Sequence, residues 1–349
     1  MSETFHLYGV VGDGAGPDSG LIGLDGCRVS TIHHRDLTAL VSPTPIRAYR
    51  SMKREEVVPH LVTHQAVIEQ VMKHHTVIPV KFGTVARDAV EVRKVLETGY
   101  SQLRGTLEAM TGRIELDLVA QWKDLNSVLQ KIGEEEEIRG EKAAIASRPV
   151  EQTREARVRI GKLVKARLDQ VREERAAEII ETLKPLARDI CPHALLDDRL
   201  ILNTAFLVAR AGEEEVGGTL ERLDDRYADT IDFRCVGPLP PYSFATVEVK
   251  TFEFEEVDRA RRLLGLREWA ALSEVKEAYR TLAHESHPDH AYRQAGKIGG
   301  RIDGAFETAT EAYRLLKEYL QVGSSFRARD VREAVAVRLL QWSLEAGSA

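Results

Sequence analysis

The sequence predicts an α+β fold, and three observations carry that prediction. Residues 1–112 alternate strand and helix signals. Residues 113–250, once a charged helical stretch is set aside, run strand–helix–strand–strand–helix–strand. Residues 251–321 place apolar residues at helical spacing throughout. The βαββαβ order is the ferredoxin-like pattern. The expected organisation is an N-terminal α/β domain over 1–112 and a ferredoxin-like second domain over 113–250 with a long helical insertion at 134–190. A helical domain over 251–321 and a helical tail over 322–349 follow.

In the first stretch "TFHLYGVVG" (4–12) reads as a strand running into a Gly-rich loop. "CRVSTIHHRDLTALVS" (27–42) reads as two short strands about a tight turn. The segment 53–75 carries Val57, Leu61, His64, Ile68, Val71 and Met72 at helical spacing. "TVIPVKFGTV" (76–85) is β-branched and breaks at Gly83, so it is a strand. Residues 87–110 form a second helix with Val92, Leu96, Leu103 and Leu107 on one side, weakened by Gly99 and Gly105.

The second stretch opens with the alternating strand "RIELDLVAQW" (113–122) and the short helix "LNSVLQKI" (125–132). The acidic, Gly-flanked segment 133–149 is expected to be mobile. From Val150 to Leu186 a stripe of Val158, Leu163, Leu168, Val171, Ile179 and Leu183 predicts one or two helices. A strand pair within 194–210, a helix over 213–228 and a last strand over 231–249 complete the unit. In the tail, Val331, Val335, Leu339 and Trp342 align on one amphipathic helix.

At 349 residues the chain is long enough for two or three domains, each with its own core. A net charge of −6 argues against a protein whose main task is coating nucleic acid. No apolar run approaches the length of a membrane span, and "MSETFHLYGVV" lacks a basic signal head. Cys27, Cys191 and Cys235 are far apart and odd in number, which fits reduced thiols in a cytoplasmic protein.

Catalytic and cofactor chemistry finds little support. "GVVGDGAGPDSG" is Gly-rich after a strand, but no helix begins there and no Gly-Lys-Ser/Thr occurs, so no nucleotide cradle is expected. His33/His34 and His74/His75 are adjacent pairs that, in a strand, face opposite ways. His60 and His64 lie one helical turn apart without a His-Glu-x-x-His pattern. The cysteines lack metal spacing, and no nucleophile elbow or acid–base motif is present. The expectation is a non-enzyme with no cofactor and no metal.

The strongest local signal is "GPLPPYSF", residues 237–244. Its prolines force an extended chain entering a strand or a sheet edge, with Tyr242 and Phe244 packed beneath. Gly237, Pro238, Pro240, Pro241, Tyr242, Ser243 and Phe244 resemble the signature of the gas vesicle proteins GvpF and GvpL, with Leu239 where tryptophan is usual. "LYGVV", "RDLTALVS", "HQAVIEQV", "TVIPVKFGTV" and "LILNTAFLVAR" fall in that family's order, so the resemblance covers about residues 5–248. It implies a non-enzymatic accessory protein for building gas vesicles, located in the cytoplasm and at the vesicle. It also implies binding to the hydrophobic shell protein and to other accessory proteins.

A second resemblance lies further on. Leu263-Leu264-Gly265-Leu266, "EVKEAYRTLA" (274–283), His287-Pro288-Asp289 and "AFETATEAYRLL" (305–316) resemble, in that order, the helices and loop of a J-domain, the DnaJ co-chaperone module. Val275, Tyr279 and Leu282 would face Phe306, Ala309, Tyr313, Leu316 and Leu320 in a helical hairpin. The resemblance implies that His287, Pro288 and Asp289, supported by Lys276 and Arg280, contact a DnaK-type heat-shock ATPase. Glu277, Thr281 and Glu285 stand where that module is often basic, and Ala271 stands where a cap is common, which implies a weak contact. The fold expectation is thus completed by a J-domain-like hairpin and a terminal helix. The competing function is a general DnaJ-like co-chaperone with an α/β client-binding region.

Overall fold

The computed structural model of the chain describes residues 4–12, 20–47, 49–286 and 303–340. These divide into two compact units. Met1–Leu107 and Val247–Leu339 make the first, and the second is built on Glu108–Thr246. The sequence separated the helical residues after 250 from the N-terminal ones; by contact they group together.

The first unit begins with β1 (Phe5–Gly12), β2 (Ser30–His34) and β3 (Leu37–Pro43), followed by α1 (Arg54–Met72), β4 (Val77–Pro79), β5 (Val85–Ala86), α2 (Ala89–Thr98) and α3 (Tyr100–Met110). The strand order is β2-β3-β1-β4, with β5 also paired to β1. All these pairs are antiparallel. β1 is central because Leu7, Tyr8, Val10 and Val11 are apolar on both faces and fully buried. The expected second helix breaks at Gly99 into α2 and α3. Asp88 caps α2 by accepting from the Glu91 amide at 2.8 Å. In α1 the buried side chains are His64, Val67, Ile68, Val71 and Met72. Leu61, expected in that stripe, is exposed with its neighbours Val58 and Val62, because only the second half of the helix packs on the sheet.

The second unit is built from β6 (Arg113–Trp122), α4 (Leu125–Gly133), α5 (Glu136–Ile145), α6 (Arg154–Leu183), β7 (Ala187–Pro192), β8 (Leu200–Ala209), α7 (Glu213–Tyr227), β9 (Ile231–Leu239) and α8 (Tyr242–Ala245). Its sheet has the order β7-β8-β6-β9, antiparallel throughout. The first and third strands of the βαββαβ chain are therefore central. Ile114, Leu116, Leu118, Ala120 and Trp122 of β6 face the helices, meeting Leu168, Ile179, Leu183, Val216 and Leu223.

Three expectations change here. The acidic segment thought mobile is helix α5, because Ile138 and Ile145, seven apart, bury against the same core. The Arg167 Nε between both oxygens of Glu135 (3.0 and 2.9 Å) and Arg159 to Glu141 (2.8 Å) hold this region to α6. The first strand of the expected pair lies at Ala187–Pro192, before 194, so the helical insertion ends sooner than 190. Val158, placed in the stripe of α6, is exposed.

The chain then returns to the first unit through β10 (Thr246–Thr251), α9 (Phe254–Leu263), α10 (Leu272–Ser286), α11 (Asp303–Tyr319), α12 (Ala328–Glu333) and β11 (Val335–Leu340). Phe252, Val257, Val275, Leu316, Tyr319, Phe326 and Val331 form a core among these elements. Tyr279 of α10 stacks on Tyr313 of α11 with ring centroids 4.5 Å apart, and Tyr279 Oη meets Thr310 Oγ1 at 3.2 Å. The tail is not one amphipathic helix. Val335–Leu340 is a strand paired with β10, and Val335 and Ala336 are buried side by side, as a β-branched run favours. Trp342 lies outside the described residues.

Candidate functional site

The residues of the "GPLPPYSF" turn close over the face of the second unit's sheet opposite its helices. Glu115 and Asp117, two apart on β6, point to that face. Where β6 meets β9 the register steps from Glu115↔Leu239 to Asp117↔Val236, so β9 carries one extra residue. Gly237 sits in this bulge, ahead of a cis bond to Pro238. A side chain at Gly237 would place Cβ 2.5 Å from Leu116 Cδ2 and 3.0 Å from the Glu115 carbonyl, so only glycine fits. Pro240 and Pro241 are buried. Rather than leading straight into a strand, they start the single helical turn α8, with the Ala245 amide donating to the Pro241 carbonyl at 2.8 Å.

Ser243 fixes that turn to β6. Its amide donates to Glu115 Oε2 and its hydroxyl to Glu115 Oε1, both at 2.8 Å. His193 Nε2 stands 3.3 Å from the same hydroxyl. Serine, histidine and a carboxylate thus converge, but not as a nucleophile. Ser243 is buried, and the carboxylate that its hydroxyl meets also accepts its own backbone amide, so that carboxylate holds the turn in place. The arrangement is a cap and a clasp. Burial raises the Glu115 carboxyl well above the usual carboxylate range, against the lowering effect of the Ser243 donors. Asp117 is raised by burial too, with His193 opposing. Burial also lifts the Cys191 thiol to about 11, which makes it unreactive. None of Glu115, Asp117 or His193 stood out in the sequence. The available signal was the alternation of β6, which puts two acids on one face between apolar neighbours.

In the first unit His6 and His64 meet, Nε2 to Nδ1, at 2.9 Å, and His64 Nε2 lies 3.1 Å from the Val80 carbonyl. Burial holds His6 down to about 3 and His64 to about 4, so both imidazoles stay neutral. Tyr8 Oη reaches Ser42 Oγ and accepts from the Leu24 amide, each at 2.7 Å. His64 therefore pairs across the core with β1 rather than with His60 along the helix. His33 Nδ1 meets Thr38 Oγ1 at 2.8 Å. Among the described residues no group of three or more His, Cys, Asp or Glu is placed to hold a metal ion, and no helix is long and apolar enough to cross a membrane.

Lys276 and Arg280 are exposed on α10, as is Glu277. His287, Pro288 and Asp289 lie outside the described residues, and so does most of the Gly-rich loop after β1.

Comparison with known proteins bears on residues 4–246, which match the model of the family described as gas vesicle synthesis protein GvpL/GvpF. The chain is similar to gas vesicle protein F of Nostoc sp. (strain PCC 7120), 24% identical over 250 residues covering 71% of this chain and 100% of that protein. It is also similar to gas vesicle protein L of a Streptomyces species, 27% identical over 269 residues covering 71% and 94%. Among solved structures, GvpF from Anabaena sp. PCC7120 superposes with a TM-score of 0.62 at 24% identity, covering 69% of this chain and 98% of that one. GvpF from Microcystis aeruginosa gives 0.56 at 22%, with the same coverage.

Proposed function

Because the chain belongs to the GvpL/GvpF family of gas vesicle synthesis proteins, we propose that it is a non-enzymatic assembly factor. In this reading it binds the hydrophobic shell protein and other accessory proteins in the cytoplasm and at the growing vesicle. The observation that carries the reading is the family match over 4–246, which ends on the "GPLPPYSF" turn. A shell subunit with a large apolar face aggregates unless that face or its strand edges are covered, and a chaperone-like partner covers them. The test is co-expression with the shell protein followed by affinity recovery of this chain. Shell protein among the recovered partners supports the reading. A broad set of unrelated clients without it would favour a general co-chaperone instead.

The helical region after 250 is read as J-domain-like, with His287, Pro288 and Asp289 beside Lys276 and Arg280 as its contact to a DnaK-type ATPase. The α10–α11 hairpin, stacked through Tyr279 and Tyr313, supports this reading. Glu277 and Glu285 oppose an acidic partner, so the contact is weak and sensitive to salt. Replacing both with lysine should raise ATPase stimulation at low salt, and His287→Gln should abolish the gain. No stimulation from the lysine variant would identify the hairpin as an inert appendage.

A further inference from the structure

A cleft of about 600 Å3 in the first unit opens between the Phe82–Val85 segment and β10, lined in part by Ile46, Tyr49, Phe82, Val85, Val249 and Thr251. Its geometry follows from an interrupted pairing. Val80 forms a single parallel bridge with Val247, and the Lys81 amide donates to the Val247 carbonyl at 2.8 Å. The chain then turns away. The Thr84 amide donates back to the Lys81 carbonyl at 3.2 Å, and Gly83 adopts φ +84°, a conformation that favours glycine. β10 continues without that neighbour. Backbone groups of residues two apart face the same edge of a strand, so Val249 and Thr251 turn theirs to the side where Val247 met Lys81. Among the described residues no strand runs beside them there, while β11 holds the other edge.

The chemistry of the walls narrows the occupant. Three cations border the cleft, and each already has an acid. Arg47 holds Asp25 through two bonds of 2.8 Å, Lys81 holds Glu248 at 2.5 Å, and Lys250 holds Glu318. Each of these cations is already engaged, although Lys250 shares Glu318 with Arg338. Between these ion pairs the mixed wall presents apolar groups: Ile46 is 73% exposed, and the Tyr49 and Phe82 rings lie 4.7 Å apart.

We propose that this cleft takes an extended, uncharged segment of the shell protein, added as a strand to the free edge of β10. The proposal rests on the reading above that this chain binds the shell protein, and it names the place. The free edge is only a few residues long, so it offers few hydrogen bonds. That suits a contact which must be given up when the subunit joins the shell.

The experiment is amide hydrogen exchange on the full chain, alone and as recovered with co-expressed shell protein. Exchange at the Val249 and Thr251 amides should slow by roughly tenfold or more in the complex. Val85→Lys places a charge in the cleft without touching a backbone group, and Val249→Pro removes a donor from the edge. Each should lower the recovered shell protein by roughly tenfold, as expected for losing a central interface contact. Leu61→Lys, on the exposed face of α1, should change nothing. If Val249→Pro misfolds, Val85→Lys and the exchange data decide. Shell protein recovered at full yield by Val85→Lys, or with both amides exchanging as before, would overturn the cleft while leaving the proposed function standing. No shell protein recovered by the unaltered chain would overturn both.

Discussion

Ser243 shows how a short signature acts through a residue far from it. Two bonds to Glu115 tie residue 243 to residue 115, and the surrounding prolines pre-set the turn that makes both possible. Ser243→Ala keeps the amide bond and loses the hydroxyl one, so unfolding in denaturant should show a loss of about 1–2 kcal/mol. An unchanged midpoint would mean that the clasp contributes nothing. The turn was legible in the sequence because proline and glycine act locally. Its carboxylate was not, because Glu115 on an alternating strand reads as an outward-facing polar residue until the turn is seen to cover it. The same holds for His6, which the sequence left inside an apolar strand. With His64 it sets the acid limb of stability. The unfolded chain protonates these imidazoles near pH 6.5, whereas the folded chain resists until about 3 for His6 and about 4 for His64. Between those values the unfolded state binds more protons at these two sites, so the histidines' contribution to stability is full above pH 6.5 and is lost as pH drops through that window. Glu115, whose carboxyl is raised, acts in the opposite sense and favours lower pH. Denaturation at pH 7, 5 and 4 should show the decline, and a His6→Gln, His64→Gln double variant should flatten it. Equal slopes in the two proteins would refute the assignment.

At the scale of elements, helix α6 separates what periodicity can and cannot tell. Its stripe correctly marked Leu168 and Ile179, but also Val158, which points to solvent. Spacing gives the angle around a helix, not how far along the helix its cover extends. Leu168→Ala should therefore destabilise by about 2–5 kcal/mol, as for other buried leucines, and Val158→Ala by less than about 0.5 kcal/mol. Similar costs for both, by denaturant titration, would contradict the burial assigned here. Helix α5 was missed for a related reason. Its run of glutamates dominates the composition, while only Ile138 and Ile145 decide that it packs. The tail misled through ambiguity of period. Val335 and Leu339 suit a helix at spacing four, yet Val335, Ala336 and Val337 in succession suit a strand that already has β10 to pair with.

For the whole molecule, the order of strands and helices was readable, but the partnership between the two ends of the chain was not. Nothing local records that Arg87 donates to the Arg332 carbonyl, or that Lys250 and Arg338 both hold Glu318. Deleting 251–349 should accordingly lower the melting temperature of the first unit as well as remove the helices. A truncated chain melting as the intact one does would show that residues 4–107 need no such support. The family match ends at 246, so the segment that completes the first unit lies beyond it. The discontinuity of that unit bears on the order of synthesis. Residues 108–246, the whole body of the second unit, leave the ribosome between the two halves of the first. At roughly 5–20 residues per second, the N-terminal sheet waits roughly 7–28 s for its completing residues to begin to appear. A chain stalled within that interval holds a finished second unit and an unfinished first one, and protease added to such stalled ribosomes should cut the earliest-made residues first.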